Sequence, residues 1–336
     1  MNRRALLGSG LLAMLCAALP AAAQEPVVVR FSHVVARDTP KGLAADHFAA
    51  LVNQRAAGRL RVEVYPDSQL YKDGEEMEAL QLGSVQLLAP SHAKFGPLGV
   101  PDFEVFDLPF MFDSYAQLHR VTQGPIGKRL LHKLEAKGIV GLAYWDNGFK
   151  DFSANRPLRQ LADFRGLRMR IQSSRVLDGQ MRALGATPQV LAFSDTHRAL
   201  AAGVVDGTEN PPSNFYTQRM HEVQRYLLHS QHGYLGYVVI ANKRFWEALP
   251  GDLRTLLEEC MVSATRYANQ IAEQKNNESL EAVRKSGKTV VAIPDPALRQ
   301  ALKLATSRTH REHEARIGAN LIRSIYRETG FDPGRP

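Results

Sequence analysis

The chain has 336 residues, of which 23% are charged, a formal net charge of +8 and only two cysteines. The length fits about two domains, and a chain of this size can bury enough surface to hold its fold without a disulfide framework. Basic and acidic residues are interleaved without a basic run, which excludes nucleic acid as the expected partner.

Residues 1–23, "MNRRALLGSGLLAMLCAALPAAA", read as a secretory leader. Arg3 and Arg4 precede an apolar stretch, and Ala21 and Ala23 form an A-x-A-like site before Gln24. The apolar run is too short and broken for a stable membrane span, so no direct membrane insertion is expected. Leu15 before Cys16 speaks against a lipid anchor, and the flanks of the Arg pair fit general export better than the twin-arginine route. Cleavage near Ala23–Gln24 places the mature chain in the periplasm. It also removes Arg3, Arg4 and Cys16, which lowers the charge from +8 to +6 and leaves Cys260 as a lone thiol, read as buried and inert. A mildly positive exported protein draws small anions by its overall field.

Residues 27–33, "VVVRFSH", predict a strand, and 41–56 carry apolar residues at helical spacing up to Gly58. "LRVEVYP" (60–66) alternates as a second strand. "GEEMEALQLG" predicts a short helix and "VQLLAP" (85–90) a third strand. Strand, helix, strand, helix, strand implies a mostly parallel sheet with helices on its faces. After "PDFEVFDLPFMF" come a helix and the strand "IVGLAYW" (139–145). A second series follows: strand 167–172, helix 175–185, strand 187–193 and helix 194–203, with Ser194 as its N-cap. "GYVVIANKRFWEAL" predicts strand then helix. Past Pro250 a long helical pattern runs to about Ser286, and "TVVAIP" and a final helix close the chain. Two α/β lobes joined by several crossings are expected, with a ligand cleft between them at the carboxyl ends of strands.

Two stretches could hold a carboxylate there. In "LRMRI", Arg168 and Arg170 point to one side of the strand. They are either two solvated arginines, or one offers its planar fork to a ligand at the strand's carboxyl end. "DGTENPP" (206–212) contains the turn dipeptides Asp-Gly and Asn-Pro, so it reads as a turn that could also aim the Asn210 amide at the same carboxylate.

The segment "GLRMRIQSSRVLDGQMRALGATPQVLAFSDTHRALAAGVVDGTENPPSN" resembles the central signature of the substrate-binding proteins of tripartite ATP-independent periplasmic (TRAP) transporters. The likeness runs from "FSHVVARDTPKG" to "HGYLGYVVIANKRFWEALP". It is nearest to the C4-dicarboxylate-binding, DctP-type branch through "APSHAKFGPLG", "EVFDLPFMF" and "WDNGFKDFSANRPL". The resemblance implies the two-lobed α/β solute-binding fold, with hinge-crossing strands, a long helix spanning both lobes, and closure around an organic acid. Expected boundaries are 24–147 plus about 236–272 for lobe I, and 148–235 plus about 273–330 for lobe II. It assigns the selectivity arginine to Arg170 and the ligand-facing asparagine to Asn210. Many members carry a second arginine where this chain has Lys150, whose compact ammonium could still neutralise a far carboxylate. Lys94 of "SHAKFG", after a strand end, is the other candidate. Phe193 is either a pocket wall or core, His33 either lines the cleft or is structural, and Tyr237 is a hinge or contact residue. The implied partners are a small organic acid and the permease subunits of a TRAP transporter. A sensor kinase served by the same receptor, or another acid such as a monocarboxylate or sugar acid, remains as an alternative. A monomer is expected.

No G-x-S-x-G, H-E-x-x-H or phosphate-cradling glycine loop occurs, so neither enzymatic chemistry nor a cofactor is expected. His310, His313 and Glu314 of "THREHEAR" share a helix face at i, i+3 and i+4. They read as a solvated charged face rather than a metal site, and His229 and His232 are read in the same way.

Overall fold

A computed structural model describes residues 25–334. The leader, with Cys16 and its cleavage site, lies outside the described residues. Nine strands form one sheet in the order β2-β1-β3-β8-β4-β7-β5-β6, with β9 also pairing β8. The strands are β1 (Val27–Ser32), β2 (Leu60–Tyr65), β3 (Leu87–Leu88), β4 (Ile139–Ala154), β5 (Arg168–Ile171), β6 (Thr187–Val190), β7 (Gly207–Asn210), β8 (Tyr226–Asn242) and β9 (Val290–Ala292).

β4 and β8 are the axis of the molecule. They pair antiparallel from Ile139↔Asn242 to Ala154↔Tyr226, with irregularities at Gly141/Ala143, Asp146/Gly148 and Lys150/Phe152. One end of this ribbon joins the parallel set β3-β1-β2 through Leu87↔Ala241. Its other end joins β7-β5-β6 through Asp151↔Asn210, and β9 through Tyr226↔Val290. The sequence predicts the first strand only to Trp145. The chain instead stays extended to Ala154, because bulges let one strand bend from one lobe into the other without breaking its ladder.

The helices are α1 (Pro40–Arg55), α2 (Glu76–Leu82), α3 (Tyr115–Thr122), α4 (Pro125–Lys133), α5 (Arg175–Ala183), α6 (Phe193–Ala201), α7 (Pro212–Thr217), α8 (Lys243–Ala248), α9 (Gly251–Ser286), α10 (Pro296–Glu312), α11 (Glu314–Ile317) and α12 (Ala319–Thr329). α9, 36 residues long, packs on α1 and β4 near its start and on α7 beyond. Asn276 pins it at the bend: its Nδ2 donates to Asn147 O at 2.6 Å, and its Oδ1 accepts from Ser213 N at 3.0 Å. A Cβ at Gly148 would lie 2.6 Å from that amide nitrogen, so only glycine lets the helix approach the bulge.

One apolar core lies between β1, β8, α1 and α9 around Phe31, Phe48, Trp145 and Leu257. A second gathers Phe95, Phe103, Phe106 and Phe112 under α3, α4 and α12. Two more serve the other lobe, around Phe152, Phe164 and Met181, and around Phe193, Phe215 and Val283. Cys260 is buried in the first core, where burial pushes its thiol up.

Three further expectations are corrected. The final helix is three helices, broken at His313 and Gly318. His310 is buried rather than solvated, with Nδ1 at 2.9 Å from Tyr326 Oη and Nε2 at 2.8 Å from Pro109 O. His232, likewise read as solvated, is buried against Glu209 and stacks on Phe152.

Candidate functional site

The lobes meet over a narrow cavity of about 10 Å³ beside the crossing strand β8. Val34, Val35, Lys41, Asp73, Glu76 and Ser91 line it from one lobe, and Gln172, Phe193, Asn210 and Asn214 from the other. Leu235 and Tyr237 of the crossing strand β8 complete the wall. Hydrogen bonds cross the seam directly. Gln172 Nε2 donates to Ser91 Oγ at 2.8 Å, Asn214 Nδ2 to Tyr237 Oη at 3.4 Å, and the Phe193 backbone N–H to the Asp73 carboxylate.

Local chain chemistry places each group. Thr39 caps α1 by accepting from Gly42 N at 3.1 Å, and Pro40 occupies the first helical turn. A Cβ at Gly42 would lie 2.4 Å from Arg37 O, so the turn closes tightly and carries Lys41 inward. Lys41 Nζ donates to Ala89 O at 2.9 Å and stands 3.7 Å from the centroid of the Tyr237 ring. Glu76 opens α2. Asn210 ends β7, which makes "DGTENPP" a strand followed by a helix at Pro212 rather than a turn. The Asn210 Nδ2 donates to Thr208 Oγ1 at 3.2 Å.

Arg170 is 1% exposed on β5. Its Nε and Nη2 donate to Leu191 O at 3.0 and 2.9 Å, and its guanidinium carbon is 5.6 Å from the centroid of the Phe193 ring that faces the cavity. Burial pulls the guanidinium down from its ordinary value, against the opposing charges of Asp73 and Glu209. Arg168, on the same side of the strand, ends instead in a bidentate pair with Asp206 at the surface.

Charge is dense here. Burial pushes Asp73 up, but Lys94, Arg170 and the Phe193 N–H outweigh it, so Asp73 sits below its ordinary value and ionised. Burial and neighbouring Asp73 push Glu76 up to about 7, while burial brings Lys41 down to about 8.

Asn210, Phe193 and Tyr237 thus line the cavity, and Arg170 lies directly behind Phe193. Lys94 stands one step back, with Nζ 2.5 Å from Asp73 Oδ1. His33 is fully buried beside Lys41 and does not line the cavity; burial and Lys41 pull its ring well down, so it stays neutral. Lys150 also lies off the cavity, with Nζ 2.6 Å from Glu209 Oε1. Strand alternation explains this, since Glu209 faces away from its neighbour Asn210. Sequence reasoning missed Lys41, Asp73, Glu76, Ser91, Gln172 and Asn214. A lysine in the first turn of α1 opposes the helix dipole, and that local conflict was a legible signal. A larger cleft of about 340 Å³, lined by Tyr115, Phe149, Glu273 and Arg299 among others, gathers none of the expected residues.

Residues 31–316 match the family model described as bacterial extracellular solute-binding protein, family 7 (DctP). The chain is 57% identical over 321 residues to the C4-dicarboxylate-binding periplasmic protein DctP of Rhodobacter capsulatus, covering 96% of each. It superposes with TM-score 0.89 on a TRAP periplasmic solute-binding protein of Shewanella oneidensis with bound succinate. That pair is 39% identical and covers 90% of this chain and 99% of the other. A counterpart from Pseudomonas aeruginosa with bound L-malate gives TM-score 0.83 at 40% identity, over 85% and 100% of the two chains.

Proposed function

This chain belongs to the bacterial extracellular solute-binding proteins of family 7, the DctP family, and on that premise we propose that it is a periplasmic receptor for a C4-dicarboxylate such as malate, succinate or fumarate. The observation that carries this reading is the seam between the lobes, where Lys41 and Asn210 line one small cavity and Arg170 lies buried behind its Phe193 wall. The space left between the lobes is only about 10 Å³, so a diacid enters as the lobes part, and the cations around it suit a short dianion. The succinate- and malate-bound relatives support the choice.

Arg170 is the expected carboxylate clamp and Asn210 its amide partner. The distal carboxylate falls to Lys41, with Lys94 and Asp73 setting the field behind it. Charge-assisted hydrogen bonds allow a ligand of so few atoms to reach a net value near −8 kcal/mol, about micromolar. The ligand binds the closed arrangement better than an open one, so it shifts the hinge population towards closure. The lobes are taken as 24–147 plus about 236–272, and 148–235 plus about 273–330. The closed shape is then what the permease subunits of a TRAP transporter read. On this reading the chain is exported with its leader cleaved near Ala23, acts as a monomer, and performs no chemistry on its ligand. Among the described residues no helix is long and apolar enough to cross a membrane, and no His/Cys/Asp/Glu group is placed to hold a metal.

A thermal-shift screen over an organic-acid panel tests the assignment, because a ligand that binds only the folded state raises Tm by mass action. Succinate, L-malate or fumarate should give the largest shifts. Shifts confined to monocarboxylates would remove the dicarboxylate assignment and leave the receptor standing.

A further inference from the structure

Glu76 is 1% exposed and lines the cavity, and among the described residues its Oε1 meets no hydrogen-bond partner. A second carboxylate, Asp73, lines the same wall, but it is held by Lys94 and the Phe193 N–H. A site for a dianion that includes a loose buried carboxylate needs a reason, because like charges in one dry cavity oppose each other.

The charge inventory supplies it. Lys41 of α1, Lys94 beyond β3 and Arg170 of β5 are the cations, and Asp73 and Glu76 the anions. Tyr237 of β8 is pushed up and stays a neutral phenol, and His33 of β1's end is neutral. Ser91, Gln172, Asn210 and Asn214 bring only uncharged groups. Glu209, which also acts on Arg170, is matched by Lys150 on the far side of β7. Three cations against two carboxylates and an entering dianion leave one uncompensated negative charge. One proton removes it, and Glu76 is the carboxyl without a partner.

Resting on the dicarboxylate reading above, we propose that Glu76 is a proton-linked contact: it takes one proton from solvent as the dianion enters and donates it in a hydrogen bond to a ligand oxygen. The unliganded value of about 7 fits this role, since a modest further push protonates the group. The sign is fixed. Above the unliganded value the free protein holds Glu76 ionised and the complex holds it neutral, so protons are taken up on binding. Well below it Glu76 is neutral in both states and uptake vanishes. Glu76 thereby offers a donor that a plain carboxylate site lacks.

Calorimetry with succinate at pH 7.5 in Hepes and Tris buffers, which differ in ionisation enthalpy, counts the protons. With Glu76 held up near 7 by burial and Asp73, and Lys41 brought down near 8 by burial, the protein should take up protons as the ligand binds, the larger share at Glu76. Glu76→Gln should lower the count. An enthalpy independent of buffer in the unaltered protein, or an unchanged count in Glu76→Gln, overturns the proposal. Infrared difference spectra of the unaltered protein give a second readout: succinate should add a protonated-carboxyl band, and its absence overturns the proposal even if the variant binds poorly. Succinate binding without proton uptake removes this inference alone, whereas absence of any dicarboxylate binding removes the receptor assignment with it.

Discussion

Two buried charge clusters lie on opposite faces of β7, and they differ in what they leave undone. On one face Glu209 accepts from Lys150 at 2.6 Å, from Gln180 at 3.1 Å and pairs with His232 Nε2 at 2.8 Å. All four residues belong to one lobe and its crossing strands, and His232 also stacks on Phe152 with centroids 3.5 Å apart. On the other face Lys41, Asp73 and Glu76 line a cavity with Lys94 and Arg170 behind it, and the Glu76 Oε1 is left without a partner among the described residues. The first cluster stabilises a fold. The second has its Lys94–Asp73 pair within one lobe, but its Phe193 N–H to Asp73 bond crosses the seam and its Glu76 Oε1 has no partner among the described residues. Burial and charge alone do not mark a site; incomplete pairing at a movable seam does.

The largest expected effect falls on the complete cluster. Glu209→Ala strands the Lys150 ammonium in a dry interior and should cost about 3–5 kcal/mol, read as a lower urea midpoint. A loss below about 1 kcal/mol would show that the cluster is not structural. Arg170→Ala belongs to the other face. It should weaken succinate binding by about a hundredfold or more by calorimetry while the protein still folds, because one ligand carboxylate loses a charged partner in a dry cleft. Micromolar binding by that variant would end the clamp role.

Acid should act through the complete cluster. Burial opposes Glu209's charge, but Lys150 and His232 win and hold it at about 2, below its ordinary value. A depressed carboxyl contributes stability that is present above the unfolded value near 4.3 and lost as pH falls towards the folded value. Urea midpoints should therefore fall between about pH 5 and pH 2, and the fall should flatten in Glu209→Gln. The smallest effect concerns α6. Its first N–H is taken by Asp73 from the opposite lobe, and no side chain of its own caps it. Ser194→Ala should change stability by less than about 0.5 kcal/mol, whereas a true N-cap loss costs about 1. A shift of that larger size would return the cap to Ser194.

How much of this was legible follows the range of the forces involved. The first strand–helix–strand series was read to within a residue or two, because period-2 and period-3.6 patterns report one face against one core. The long helix ending at Ser286 was legible for the same reason. β4 was cut short at Trp145 because "DNGFKDFSA" is polar yet buried, its polar groups meeting partners far away in the chain. Arg170 and Asn210 came from the resemblance to known relatives, and the residues alone left them open.

By itself the sequence determined the α/β class, the order of most elements and the family, because hydrophobic periodicity and long motifs are local properties of the chain. Only the tertiary structure decided that Lys150 turns from the cavity to Glu209, and that Lys41 and Glu76 turn into it. The face a side chain takes depends on strand register and helix entry angle, and the partner of a buried charge is chosen by packing between segments distant in the chain, 59 residues apart for Lys150 and Glu209.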